Sequence, residues 1–131
     1  MDLQIDHIGY LVKNLKRARA QFENIGFVPT GEEIQDDYRQ ILILFMEKNG
    51  YVIELVCPTD KTTKIADLAR RIGNSPYHIC YRCHDLDATC RELVSQGYVI
   101  CDEKHSAVAF DDRPVCFLIH PFMGMIELLE E

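Results

Sequence analysis

Tryptophan is absent from this 131-residue chain, and the other aromatics are six Phe and six Tyr. That inventory poorly supplies a pocket that must grip a flat ligand by stacking alone. Basic residues are scarce too: 14 Lys and Arg face 21 Asp and Glu, for a formal net charge of −7. Nucleic acid and anionic membranes both require a basic surface, so the charge balance argues against either partner. Long apolar runs are also missing. The longest, ILILFM at 41–46, falls far short of the roughly 20 residues needed to cross a bilayer. The start, MDLQIDHIGY, has no basic segment leading into an apolar one, so no signal peptide is read and a cytoplasmic protein is expected.

What is present is ordinary for a globular chain: 47% hydrophobic and 27% charged residues, at the length of one compact domain. Cysteine occurs six times, at Cys57, Cys80, Cys83, Cys90, Cys101 and Cys116. Without an export signal these read as reduced thiols, and within apolar segments they act as small hydrophobes. Cys80, Cys83 and His84 do spell C-x-x-C-H, the spacing that attaches a c-type haem. That attachment belongs to an oxidising compartment, and haem is not expected here.

The chain is written twice. In the register that lays His7 on His78, DHIGYLVKNL (6–15) meets YHICYRCHDL (77–86), with Ile8 on Ile79, Tyr10 on Tyr81 and Leu15 on Leu86. Further on, Gly26 meets Gly97, Phe27 meets Tyr98 and Val28 meets Val99. Cys80, Cys83 and His84 land on Gly9, Val12 and Lys13, so the repeat preserves the leading histidine and not the haem-like residues. The copies also end alike, GYVIELV (50–56) against GMIELLE (124–130), with the register slipped by two and Glu54 matched to Glu127.

Each half predicts the same elements. Residues 3–12 are apolar and β-branched enough for a strand. Asn14 offers a helix cap, Leu15, Ala18, Phe22 and Ile25 recur at helical spacing, and Gly26 suits the end. In the second copy Asp85 is the cap, Leu86 and Leu93 mark the buried face, and Gly97 closes the helix. Strands are expected over 27–35, 39–47 and 51–57 in the first half, with an Asn-Gly hairpin turn, and over 98–103, 115–120 and 124–129 in the second. The fold expected is α+β: two tandem β-α-β-β-β modules in one domain, module 1 over 1–57 and module 2 over 76–131. The linker 58–75 between them carries a short helix near 62–72, read as packing.

Strand alternation then separates the faces. Ile8, Tyr10 and Val12 belong under the first helix, which turns His7 the other way. Ile79, Tyr81 and Cys83 do the same for His78. Ile53 and Leu55 pack while Glu54 points opposite, and Ile126 and Leu128 do so around Glu127. Each half thus sends one imidazole and one carboxylate to the face away from its helix. Carboxylates flanked by apolar residues are costly to bury unless paired or bound to metal. Two His and two Glu form a donor set for a divalent first-row metal, so His7, Glu54, His78 and Glu127 are the candidate ligands.

Paired modules carrying H…E…H…E resemble the vicinal oxygen chelate superfamily along nearly the whole chain. The wording IDHIGYLV, KIADLARRIGNSPYHICYRCHDLDA and FLIHPFMGMIEL resembles its methylmalonyl-CoA epimerase branch most, with lactoylglutathione lyase (glyoxalase I) the near relative. The resemblance implies an incomplete barrel around a metal site, with the first and last strands of each module side by side. It also implies a divalent ion (Ni, Co, Zn, Mn or Fe), an acyl-thioester or glutathione-adduct substrate, and a homodimer. His7, His78 and Glu127 match ligand positions in both branches. At Glu54 epimerases carry Gln and bacterial glyoxalases Glu. Epimerases also place a catalytic glutamate on the preceding strand, which here reads QILILFMEK, apolar at its centre.

Both activities share one step, removal of a proton α to a metal-polarised carbonyl. Glu127 is the expected principal base and Glu54 its partner. Arg82 shares the His78 face and is a candidate contact for an anionic substrate group. Asp111, Asp112 and Arg113 read as a solvated loop, and His105 and His120 as surface or rim residues. An extradiol-type dioxygenase is disfavoured by a fourth ligand at Glu54. A metal-free binding protein of the same fold has no use for four convergent ligands.

Overall fold

The computed structural model describes residues 1–131. It is a mixed α+β structure of three α-helices and nine strands. The chain divides into two compact units, Ile8–Pro76 and Met1–His7 with Tyr77–Glu131. The boundary falls inside the first strand, β1 (Gln4–Leu11).

The unit Ile8–Pro76 contains the rest of β1, then α1 (Leu15–Asn24), β2 (Val28–Pro29), β3 (Ile34–Asp36), β4 (Ile41–Lys48), β5 (Tyr51–Pro58) and α2 (Lys64–Ile72). The Asn14 side chain accepts the Arg17 N–H and caps α1. Gly26, at φ +103°, ends it, with its N–H on the Glu23 carbonyl and that of Phe27 on the Phe22 carbonyl. This is the left-handed exit that glycine favours. Asn49 and Gly50 both take positive φ, 54° and 84°, and make the tight turn from β4 into β5. β5 runs parallel to β1, with Gly9 opposite Glu54, and antiparallel to β4, with Phe45 opposite Glu54. The core follows the predicted alternation: Ile8, Tyr10 and Val12 pack with Leu15, Ala18 and Phe22 of α1 and with Leu44, Met46, Ile53 and Leu55.

Two boundaries differ from expectation. The strand expected over 27–35 is broken into β2 and β3, each antiparallel to β4. Pro29 has no N–H to continue the ladder, and Gly31 lies two residues on. β4 begins at Ile41 rather than 39, because Gln40 turns the chain at φ 56°. The linker helix α2 starts at Lys64, where the Thr63 hydroxyl accepts the Ala66 N–H, and it buries Ala66 and Ala69.

The second unit repeats this plan with β6 (Ser75–Cys83), whose first two residues belong to the other unit, then α3 (Leu86–Ser95), β7 (Val99–Ala107), β8 (Arg113–His120) and β9 (Gly124–Glu130). Asp85 caps α3 through the Ala88 N–H at 3.0 Å. β9 runs parallel to β6, with Cys80 opposite Glu127, the repeat-equivalent of Gly9 opposite Glu54. Tyr81, Cys83, Leu86, Cys90, Leu93, Leu118, Ile126 and Leu128 form its core; Ile79, expected there, is only half-buried and lies outside that cluster. β7 extends past the expected 103 to Ala107 through two register shifts against β8. Bulges of this kind break the alternation that marks a strand in sequence. Asp111 and Asp112 form the turn before β8, both at positive φ, while Arg113 lies on β8 itself.

Leu55 and Leu128 occupy matching places in the two repeats, and both are fully buried. Truncating either to Ala is expected to cost about 2–5 kcal/mol, read as a lowered urea midpoint. A loss below about 1 kcal/mol in one of them would mean its core is loosely packed.

Candidate metal centre

His7 and His78 lie on β1 and β6, and Glu127 on β9, each on the strand face away from α1 or α3. All three are buried. The Nε2 atoms of both imidazoles face a single carboxylate oxygen: Glu127 Oε1 is 3.1 Å from His78 Nε2 and 3.4 Å from His7 Nε2. The rings stand edge to face, with centroids 5.6 Å apart. Phe110 stacks on His7 at 5.5 Å, and Tyr77 and Phe117 wall His78 at 4.4 and 5.2 Å.

Burial alone would push the Glu127 carboxyl up. Hydrogen bonds from His7 and His78, with their charge, outweigh it and hold the group at about 2. The arrangement also fits a metal. Ligand atoms about 2.1 Å from a common ion are about 3.0 Å apart at a right angle and about 3.4 Å apart at the tetrahedral angle. The 3.1 and 3.4 Å edges observed here lie in that range. Two imidazoles and a carboxylate are a borderline donor set suited to Zn, Ni, Co, Mn or Fe.

Glu54 is buried on β5 between Ile53 and Leu55, on the face away from α1. Its ladder neighbour on β4 is Phe45. Ile41 and Ile43 share that face of β4, so the strand brings no carboxylate beside Glu54; Glu47, further along, is exposed opposite Val52.

Arg82 does not stand alone. Its Nη2 donates to Gln4 Oε1 at 3.0 Å, and its Nε lies 3.6 Å from Asp6 Oδ1. Asp6 Oδ2 in turn is 2.8 Å from His7 Nδ1. That hydrogen bond is the main reason the Asp6 carboxyl falls below its usual range, partial burial opposing it. His105 is half-buried on β7, its Nδ1 against the Ser106 carbonyl, and the half-buried His120 accepts the Phe122 N–H. Cys80 and Cys83 are buried on opposite faces of β6, and His84 is exposed, so the haem-like triplet does not converge. Burial pushes the Cys80 thiol far up, with the Glu127 charge adding to it.

Three residues near or like the site escaped the sequence reading. Asp6 adjoins His7, but Tyr77 replaces it in the second copy, so the repeat carried no sign of it. Phe110 sits in a 3-10 turn, Val108–Phe110, without periodicity. Asp36 is a buried acid in the Ile8–Pro76 unit, bound to the Arg39 guanidinium at 3.1 Å, and has no repeat partner.

Residues 6–117 match the family model described as Glyoxalase/Bleomycin resistance protein/Dioxygenase superfamily. The chain belongs to this superfamily. Within it, a bovine (Bos taurus) mitochondrial methylmalonyl-CoA epimerase is 23% identical over 119 residues, covering 90% of this chain and 67% of that protein. The crystal structure of methylmalonyl-CoA epimerase from Mycobacterium tuberculosis is 28% identical, with a TM-score of 0.80 over 96% of this chain and 86% of that one. A variant of the Streptomyces coelicolor epimerase, in complex with 2-nitronate-propionyl-CoA, shares the fold at 20% identity and a TM-score of 0.81, over 99% and 96% of the chains. No helix of this superfamily member is long and apolar enough to cross a membrane.

The depressed Glu127 carboxyl has a consequence in acid. Its folded value lies below the ordinary 4.5, so its stabilising contribution is complete above 4.5 and is lost as pH falls toward 2. In metal-free protein, Glu127→Gln is expected to remove that part of the acid-unfolding profile followed by circular dichroism. An unchanged profile between those values would mean the carboxylate is not held by the two imidazoles.

Proposed function

We propose that this chain is an epimerase-like isomerase that removes and returns a proton α to a thioester carbonyl, with a divalent cation held by His7, His78, Glu127 and Glu54. The observation that carries the reading is the convergence of two imidazole Nε2 atoms on one buried carboxylate oxygen at metal-ligand spacing. Glu54 is included because it repeats the Glu127 environment: a buried acid on the last strand of its unit, opposite the equivalent residue of the first. Similarity to methylmalonyl-CoA epimerases, one solved with an acyl-CoA analogue, supports a thioester substrate.

A bound cation would supply Lewis-acid polarisation of the carbonyl oxygen and neutralise charge as the α-carbon is deprotonated. His7 and His78 would hold that cation through their Nε2 atoms. Glu127 turns Oε1 to the imidazoles, so Oε2 is the atom that takes the α-proton. The Phe110, Tyr77 and Phe117 rings exclude water around the imidazoles, strengthening the local electrostatics. Glu54 is the proposed partner acid, since β4 brings no other carboxylate beside it.

That same gap favours a second reading. A chain with Glu at position 54 and Phe45 beside it matches the acid inventory of a glyoxalase I, in which one carboxylate shuttles the proton between adjacent carbons.

Elemental analysis is expected to find one equivalent of a first-row metal in the wild-type protein and a tenth or less in His7→Ala and His78→Ala. Incubated in deuterium oxide, the enzyme should exchange the C2 proton of methylmalonyl-CoA, and Glu127→Gln should slow this by at least about 100-fold. Turnover of the methylglyoxal–glutathione hemithioacetal with no C2 exchange would select the lyase; metal-free protein with neither activity would end both readings.

A further inference from the structure

The two candidate histidine ligands are supported differently. His7 Nδ1 meets the Asp6 carboxylate at 2.8 Å, whereas His78 has Tyr77 at the equivalent place and is held among aromatic rings. An imidazole that donates its Nδ1–H to a carboxylate is fixed in the tautomer that frees the Nε2 lone pair, and becomes a more basic ligand. Neighbouring residues on a strand ordinarily point to opposite faces, so the strand alone does not supply a bond between Asp6 and His7. Something must hold the Asp6 side chain back toward the ring.

Arg82 reaches Asp6 from β6. Its Nε stands 3.6 Å from Asp6 Oδ1, the oxygen not used by His7, while its Nη2 is tied to Gln4 Oε1 at 3.0 Å. The guanidinium is therefore tied to Gln4 by one hydrogen bond and faces Asp6 as an ion pair, on the two sides of Ile5. From this geometry we infer that Asp6 is a positioning residue that fixes the His7 imidazole for a divalent cation, and that Arg82 acts by steadying Asp6 rather than by contacting substrate. The inference rests on the metal reading proposed above, and it assigns the carboxylate support to the His7 arm, while the Tyr77 and Phe117 rings flank the His78 arm. The pair Arg82–Asp6 is partly exposed, so its share of the effect is the smaller one.

The test titrates Co²⁺ or Zn²⁺ alone into metal-free wild type, Asp6→Ala, Asp6→Asn and Arg82→Ala by calorimetry. Metal-free thermal unfolding of each variant separates loss of fold from loss of affinity. Asp6→Ala is expected to bind about 10–100-fold more weakly than wild type. Asp6→Asn keeps an oxygen acceptor in place and should recover most of that loss; Arg82→Ala should weaken binding about threefold and leave KM for an acyl thioester unchanged. If Asp6→Ala does not fold, Asp6→Asn and Arg82→Ala carry the comparison. Asp6→Ala binding as tightly as wild type overturns the positioning role, as does Asp6→Asn binding no better than Asp6→Ala. A raised KM with unaltered metal affinity in Arg82→Ala returns that residue to the substrate. Wild type that binds neither ion overturns the metal reading itself and this inference with it.

Discussion

A buried carboxylate between two imidazoles is the constraint around which the unit Met1–His7 with Tyr77–Glu131 is arranged. Removing a carboxylate from water costs on the order of several kcal/mol, and here that cost is offset by Nε2 atoms at 3.1 and 3.4 Å. Such compensation requires rigid placement. The imidazoles ride on strands rather than loops, Phe110, Tyr77 and Phe117 limit their rotation, and the parallel pairing of β6 with β9 fixes the depth of Glu127. An apolar core on the far side of those strands, from Tyr81 to Leu128, locks the alternation that aims the polar set. A slip of one residue in β9 would turn Glu127 into that core.

The duplication multiplies this solution without copying it faithfully. Both units pair their first and last strands in parallel and set a buried glutamate at the same register, opposite Gly9 in one and Cys80 in the other. They diverge in what surrounds the histidine. Asp6 beside His7 has given way to Tyr77 beside His78, and small Gly9 has become a buried thiol. The two imidazoles therefore meet the same carboxylate oxygen from different surroundings, a carboxylate against one ring and aromatic rings around the other.

Much of this was legible in the residues, and the reason is periodicity. Alternation in 6–12 and 77–83 separates the histidine face from the helix face, and Asn14, Asp85, Gly26 and Gly97 bracket the helices by chemistry local to the chain. The repeat made His7, His78, Glu54 and Glu127 stand out from an apolar background. What stayed hidden depends on contacts between distant segments or on broken period. The bond from Asp6 to His7 is a matter of rotamer, Arg82 meets Gln4 and Asp6 across most of the sequence, and β7 is lengthened by bulges that scramble its alternation. The split of the expected 27–35 strand follows from Pro29, which was visible, but its weight against the surrounding apolar residues was not.

The first strand belongs to both units, with the boundary falling directly after His7. During synthesis, Met1–His7 emerges from the ribosome before the whole of Ile8–Pro76, and its partners from Tyr77 onward emerge after it. This part of β1 must therefore remain uncommitted until the other unit has been made, and a chain cut short before Glu127 has an imidazole with no carboxylate to receive it. The centre is thus finished by closing a loop that contains an entire compact unit, a non-local closure whose entropic cost grows with loop length and which ties completion of the site to the integrity of the intervening chain.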